Sequence, residues 1–295
     1  MASTVTFGTF PGMKLPFILA KRFVAGEALT EAVPKVRELN RMGIAASLDL
    51  LGENVTDRFT ADATLIEYVN LLNEIRQQGL ESNISIKITM MGLDIDRSYA
   101  KDNLFRLLDV ARANQQFVRI DMEGSSYTQA TIDLLKEAHA VYTGHVGTVI
   151  QAYLKRSVTD IRDLSELGAD IRLCKGAYKE KPDIAHTTMG EIRQSYQRLA
   201  KILLEKTRFP RFATHDDQLI NWVKTYTSQQ NIRPDRFEFQ MLYGLRQKTC
   251  EALVQDRYKV RVYVPYGTMW FPYFSRRLRE RKENVFFVLA AMFRK

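Results

Sequence analysis

FVRIDME, residues 117–123, alternates in character along its length. Val118, Ile120 and Met122 fall on one side of an extended chain, while Arg119, Asp121 and Glu123 fall on the other. A strand in a parallel sheet covered on both faces reads as an almost unbroken apolar run. This one has an apolar face suited to helix packing and a charged face that must pair or bind something. The pattern recurs. ISIKITM (84–90) sets Ile84, Ile86 and Ile88 against Ser85, Lys87 and Thr89; RFEFQML (236–242) sets Phe237, Phe239 and Met241 against Glu238 and Gln240. KVRVYVPY (259–266) sets Val260, Val262 and Val264 against Arg261 and Tyr263. Four further segments have strand character: IAASLDLL (44–51), VGTVIQAYL (146–154), DIRLCKGAY (170–178) and RFATHD (211–216).

Helical periodicity fills the intervals. In ADATLIEYVNLLNEIRQQG (61–79), Leu65, Ile66, Val69, Leu72 and Ile75 share a face and Gly79 stops the helix. Further helices are expected over 98–116, 126–144, 191–207, 216–228 and 244–257, and Ser157 with Asp160 resembles a capping box opening another. Eight strands alternating with helices predict a (β/α)8 TIM-type barrel, with an open doubly wound sheet as competitor. The polar strand faces then point inward, either as a self-paired lattice of charges or, the favoured reading, as the lining of a ligand-holding mouth. The expected organisation is a helical arm over residues 1–43 and a distorted barrel over 44–295, with a C-terminal helix over the barrel mouth.

Composition excludes several classes. The chain has 295 residues, 45% hydrophobic and 26% charged, which is ordinary for a globular protein. Its 43 Lys+Arg exceed its 34 Asp+Glu by 9, and RRLRERK (276–282) carries much of the excess. No basic motif interleaved with aromatics accompanies that excess, so nucleic acid is not the expected partner. No run approaches the roughly 20 apolar residues that span a bilayer. The N-terminal stretch lacks the basic region that opens a signal peptide, so a cytoplasmic protein is expected. Cys174 and Cys250 match no metal spacing, and His139, His145, His186 and His215 form neither HxH nor HExxH, so no metal is expected.

GxSxG and GxGxxG are both absent, so a dinucleotide or flavin would have to be held by barrel loops. Lys87 and Lys175 leave a Schiff-base lyase open as an alternative, and the basic surplus leaves a nucleic-acid or anionic-surface binder. Arg276 and Arg277 precede Glu280 by four and three residues on an expected helix. One carboxylate there can orient two guanidiniums to grip a substrate carboxylate, although the same spacing also suits a plain surface helix.

The ordered series ISIK (84–87), DMEGS (121–125), VIQAYLKRS (149–157), RLCKGAYKE (172–180), FATHD (212–216), FEFQMLYG (237–244), VRVYVPYG (260–267) and YFSRRLRER (273–281) resembles the proline dehydrogenase family. The resemblance runs from about residue 44 to 290 and suits the single-function bacterial form. It implies a (β/α)8 barrel with noncovalent FAD that oxidises L-proline to Δ1-pyrroline-5-carboxylate, a hydride passing to flavin N5 and electrons onward to membrane quinone. A separate pyrroline-5-carboxylate dehydrogenase would act downstream, and the enzyme could sit peripherally at the inner face of the membrane.

By the same resemblance, Arg276 and Arg277 bind the proline carboxylate, held by Glu280, on a helix that closes over the substrate. Lys87 and Asp121 line the pocket, and Tyr178, Leu242, Tyr263 and Tyr273 pack around the ring. Arg172 lies near flavin N5 and Gln151 bonds the isoalloxazine edge; Asp121 and Tyr178 count among the flavin neighbours too. Lys175, Gly176 and Ala177 approach the cofactor, and Thr214, His215 and Gln240 match further flavin contacts. Arg172 and Lys175 differ in strand parity, so the fifth strand is expected to end or bulge near 174–176. Tyr196 is kept without the acidic pair usual before it, and Phe286 replaces a small polar residue, both near the adenine half of FAD. Glu53 stands where it can act as a gate partner for an arginine of the closing helix or as a plain surface glutamate.

Overall fold

The computed structural model describes residue 17 and residues 20–280, the side chains of 279 and 280 excepted. Eight parallel strands close into a barrel in sequence order: β1 (Ala45–Leu50), β2 (Ser82–Ile86), β3 (Val118–Ile120), β4 (Val146–Gln151), β5 (Asp170–Cys174), β6 (Arg211–Ala213), β7 (Glu238–Leu242) and β8 (Lys259–Tyr266). The seam is the β1–β8 pair, registered from Ala45 opposite Arg261 to Leu50 opposite Tyr266. The helices are α1 (Leu29–Arg41), α2 (Arg58–Gln77), α3 (Arg97–Ala113), α4 (Ser125–Val141), α5 (Ser157–Glu166), α6 (Met189–Lys206), α7 (Asp217–Gln229), α8 (Gln247–Gln255) and α9 (Trp270–Glu280). The closed sheet excludes the open doubly wound alternative.

Local chemistry sets the helix starts. Asp57 and Asp96 accept from the backbone of Thr60 and Tyr99 at 2.8 Å to open α2 and α3. Thr188 and Glu191 form a reciprocal capping box on α6. The box expected at Ser157 does not form. Ser157 is already the first residue of α5, its hydroxyl donates to the Gln151 carbonyl at 2.6 Å, and Asp160 instead takes Arg156 at 2.8 Å.

Several strands stop earlier than the alternation predicts. β2 ends at Ile86 and passes into a 3-10 turn, Ile88–Met91. β3 spans only Val118–Ile120, and β4 leaves the sheet after Gln151. At these points the side chains leave the sheet to build the mouth. The expected break in the fifth strand is present: β5 ends at Cys174, and Gly176 has φ 114°.

The two strand faces separate two interiors. Outward-facing Ile84, Ile86, Val118, Ile120, Phe237, Phe239, Val260, Val262 and Val264 are buried beneath the helices in one continuous apolar core. Ala32, Val33 and Val36 of α1 join that same core. The inward face is polar, as the alternation predicts, and its lower layer is a chain of alternating charge. Arg119 binds Asp170; Arg211 grips both Asp170 oxygens at 2.7 Å and reaches Glu238 at 3.1 Å; Arg261 donates to Glu238 at 3.0 Å. Arg119 is fully buried and also donates to the carbonyls of Thr148 and Asp170. The self-paired lattice is therefore real, but it fills only the lower part of the barrel.

Candidate active site

Above that lattice the inward face changes purpose. Arg172, on β5, stands at the junction. Its Nη2 donates to the hydroxyls of Ser85 and Ser47 at 3.2 and 3.4 Å within the barrel, and its Nη1 donates to Asp121 Oδ1 at 2.8 Å at the mouth. Tyr263, from the inward register of β8, donates its hydroxyl to the other Asp121 oxygen at 2.7 Å, and the Arg172 guanidinium lies 5.5 Å from its ring centre. Asp121 follows directly after the short β3, which frees its carboxylate to reach both partners.

Lys87, one residue past β2, donates to Asp49 Oδ1 at 3.0 Å, and both side chains are buried. Burial alone would lower the Lys87 pKa, but the carboxylates of Asp49 and Asp121 outweigh it and hold the ammonium above its ordinary value. Burial raises the Asp49 pKa while Lys87 opposes it. A Schiff-base lysine must present a neutral amine, so this environment works against that chemistry at Lys87. Burial, reinforced by the Asp121 and Asp49 carboxylates, likewise keeps the Tyr263 phenol protonated well past the ordinary range. Tyr178 is pushed up to about 12 by burial and Glu123, and the Cys174 thiol to about 12 by burial.

A cavity of about 420 Å³ opens at the C-terminal ends of the strands. It gathers the sequence-predicted residues Lys87, Asp121, Gln151, Arg172, Lys175, Gly176, Ala177, Tyr178, Thr214, His215, Gln240, Leu242, Tyr263, Tyr273, Arg276 and Arg277. The C-terminal end is where barrel enzymes place their chemistry. A second cavity of about 450 Å³, lined in part by Arg211 and Arg261, lies at the opposite end beside the turns preceding β2 and β4.

The roof comes from α9. Arg277 is buried and stacks over Tyr273, with 5.1 Å from guanidinium carbon to ring centre. Arg276 donates to the two Glu53 oxygens at 3.1 and 3.2 Å, so Glu53, in the loop after β1, is an ion-pair partner of α9 and not a bare surface glutamate. Burial opposes and Glu53 reinforces the charge of Arg276, whose pKa is raised. The side chain of Glu280 and the whole of Phe286 lie outside the described residues.

The floor and far wall are also ordered. Gln151 donates to the Glu123 carbonyl at 2.8 Å, and His215 Nε2 accepts from Leu242 N–H at 2.9 Å, placing the proton of a neutral ring on Nδ1. Lys175 and Arg193 share Asp216 at 3.3 and 2.9 Å, and Asp216 caps α7 through Gln218 N–H. Gly176 lies against the Tyr153 ring so closely that a Cβ there would sit 2.3 Å from it, so only glycine permits this turn. Tyr196, buried on α6, donates to the Leu173 carbonyl at 3.2 Å and supports the end of β5.

Sequence reasoning missed Asp49 and Glu123 as lining groups. Asp49 shares inward parity with Ser47 on β1, a signal that was present in SLDL. Glu123 falls on the polar side of FVRIDME with Asp121 but, like it, lies beyond the end of β3; Thr89 donates to it through N–H at 3.2 Å and hydroxyl at 2.7 Å. Burial raises the Glu123 pKa.

The cavity suits a flat, partly apolar cofactor beside a small anion. Arg172 Nε is buried with no hydrogen-bond partner among the described residues, a donor that an acceptor bound beside it would satisfy. Met122, Val149, Ala213 and Met241 supply apolar wall, and Lys87, Arg172, Lys175, Arg276 and Arg277 line the same cavity. The residues present therefore fit a flavin.

Several known proteins are similar to this chain. The family model described as proline dehydrogenase matches residues 32–290. The chain is 37% identical to proline dehydrogenase 2 of Bacillus subtilis over 94% of its own length and 91% of that protein. It is 36% identical to the proline dehydrogenase of Deinococcus radiodurans over 93% and 90%. Among solved structures, proline utilization A from Bdellovibrio bacteriovorus, inactivated by N-propargylglycine, superposes with a TM-score of 0.83 at 27% identity, covering 90% of this chain and 33% of that one. The chain thus spans about a third of that longer protein. The family match and the identity to these relatives over most of both chains show that the chain belongs to the proline dehydrogenase family.

Proposed function

We propose that the cavity holds noncovalent FAD and L-proline side by side, with the residues gathered at the mouth dividing the work between them. The chain is an enzyme of the first step of proline catabolism, and its family implies a flavin. The observation that carries the residue assignment is the gathering of two α9 arginines, Lys87 and the Arg172–Asp121–Tyr263 cluster around one cavity.

Arg276 and Arg277, with Lys87 beneath, would bind the substrate carboxylate by charge-assisted bonds. Glu280 is proposed to orient the two arginines from one turn further along α9, and Glu53 to compete with substrate for Arg276. Tyr178, Leu242, Tyr263 and Tyr273 wall the ring, and their bulk limits the size of imino acid admitted. Gln151, Lys175, Gly176, Ala177, Thr214, His215 and Gln240 would hold the cofactor. The bound flavin supplies the acceptor for the hydride that leaves the ring carbon beside nitrogen, yielding Δ1-pyrroline-5-carboxylate. Arg172 places a fixed cation where negative charge arrives, and Asp121 keeps both Arg172 and Tyr263 in position. Closure of α9 would exclude water. Membrane quinone is the proposed electron acceptor, reached from the inner face of the membrane, and a separate pyrroline-5-carboxylate dehydrogenase the consumer of product. Among the described residues, no helix is long and apolar enough to cross a membrane.

The test is an anaerobic absorbance spectrum before and after adding L-proline. The purified protein is expected to be yellow, to release its flavin on denaturation and to bleach with proline. A colourless protein that fails to take up FAD would overturn the reading. Borohydride trapping of a carbonyl substrate on Lys87 or Lys175 would favour a lyase instead.

A further inference from the structure

Backbone hydrogen bonds inside the helix that carries the arginines, described over Trp270–Glu280, do not fix where it sits on the barrel. Its position must come from packing, yet none of its described side chains belongs to the main core. Trp270 and Phe274 form an apolar stripe at i and i+4, with partly buried Leu278 one turn on. Tyr273, Arg276 and Arg277 project into the cavity. The apolar stripe rests in a separate cluster with Ala20, Phe23, Val24 and Leu51. The segment before α1 is thus the seat of the helix. Phe23 and Phe274 are both fully buried with ring centres 6.2 Å apart, and Trp270 Nε1 donates to Glu27 Oε1 at 3.0 Å.

That seat is itself fixed at several points. Ala25 N–H donates to the Pro265 carbonyl at 2.8 Å, and Gly267 N–H to the Gly26 carbonyl at 3.0 Å, tying the segment to the end of β8. Glu31 of α1 accepts from the backbone N–H of Glu27 and Ala28 at 2.7 and 3.2 Å. At Gly244, a Cβ would lie 1.5 Å from the Arg22 carbonyl, so the strap crosses the loop after β7 in direct contact. Strap, β8 terminus and α9 form one packed unit.

We infer that residues 20–27 position the arginine pair for the substrate carboxylate, with Phe23 and Glu27 acting as positioning residues through Phe274 and Trp270. The inference rests on the proposed arginine clamp. A two-point grip depends on placement to within about 1 Å, so loosening the seat should weaken substrate binding before it alters the chemistry.

The test uses the flavin-loaded enzyme and measures KM and kcat for L-proline, with flavin content and Tm recorded in parallel. Phe23→Ala is expected to raise KM tenfold or more, with kcat within twofold and flavin content unchanged; Phe23→Leu should restore most of the loss. Trp270→Phe, which keeps the ring packing and removes the bond to Glu27, should raise KM about threefold, and it decides the matter if Phe23→Ala fails to fold. Arg277→Met separates the two readings. If it leaves KM unchanged, the clamp fails. If it raises KM while a folded, flavin-replete Phe23→Ala, or failing that Trp270→Phe, does not, the positioning role is overturned. A loss confined to Tm and flavin content, with normal KM in the loaded fraction, also overturns it.

Discussion

The Tyr263 hydroxyl donates to Asp121 Oδ2 at 2.7 Å, on the carboxylate whose other oxygen holds Arg172. The phenol therefore helps to aim a cation it does not touch by hydrogen bond. Removing one buried hydrogen bond costs on the order of 1 kcal/mol or somewhat more. Tyr263→Phe is expected to lower kcat/KM for L-proline about tenfold while leaving flavin bound, as measured by steady-state kinetics on flavin-loaded protein. A variant with unchanged kcat/KM would remove Tyr263 from the account.

Asp49→Asn should expose the balance at Lys87. With the carboxylate present, the ammonium stays charged above its ordinary range. Without it, only Asp121 and Glu123 oppose burial, so the Lys87 pKa falls and the lysine loses its proton at lower pH than in the parent enzyme. The expected result is a KM that climbs on the alkaline side in Asp49→Asn and stays flat over the same span in the parent enzyme.

The lower lattice should matter to stability and not to substrate. Removing one partner of a buried ion pair typically costs about 3–5 kcal/mol. Asp170→Asn strips Arg119 and Arg211 of their shared carboxylate and is expected to lower unfolding free energy by roughly that amount. KM for proline in the surviving folded protein should be unchanged, since neither arginine reaches the mouth. Urea titration beside kinetics checks both halves.

Acid should find the same lattice. Burial tends to raise the Glu238 pKa, but Arg261 and Arg211 outweigh it and hold the carboxyl at about 2, below its ordinary value of 4.5. The unfolded chain therefore takes up this proton first as pH falls. The contribution is complete above about 4.5, drains away between there and about 2, and amounts to about 3 kcal/mol. Stability measured by urea midpoint should fall steeply in that window, and Glu238→Gln should flatten the slope.

The barrel was legible in the sequence because strand parity in a closed sheet is a geometric rule: FVRIDME and KVRVYVPY state which side chains face in. Parity also placed Tyr263 on the inward face, and Arg172, assigned by the family resemblance, likewise stays on regular strand. It stopped being informative where the strands stop. Glu123 and Thr89 lie past the ends of β3 and β2, and their meeting depends on a 3-10 turn that alternation predicted as more strand. Gly176 and the parity conflict between Arg172 and Lys175 did reveal one such break in advance. The Ser157 box failed because a hydroxyl near a helix start was claimed by the carbonyl of the preceding strand. Glu53 with Arg276 was one of two readings open in the sequence, whereas contacts such as Arg119 with Asp170 or Phe23 with Phe274 left no local trace, since nothing in either stretch specifies the other.

Arg172 has one nitrogen on the serine pair inside the barrel and another on Asp121 at the mouth. Anyone reshaping this enzyme for a bulkier imino acid inherits that double attachment. Exchanging the residue would disturb the scaffold together with the chemistry proposed for it, so it offers no freedom to a designer. Tyr178 and Tyr273 lie on the loop after β5 and on α9, outside the strands, and variation for new specificity belongs there.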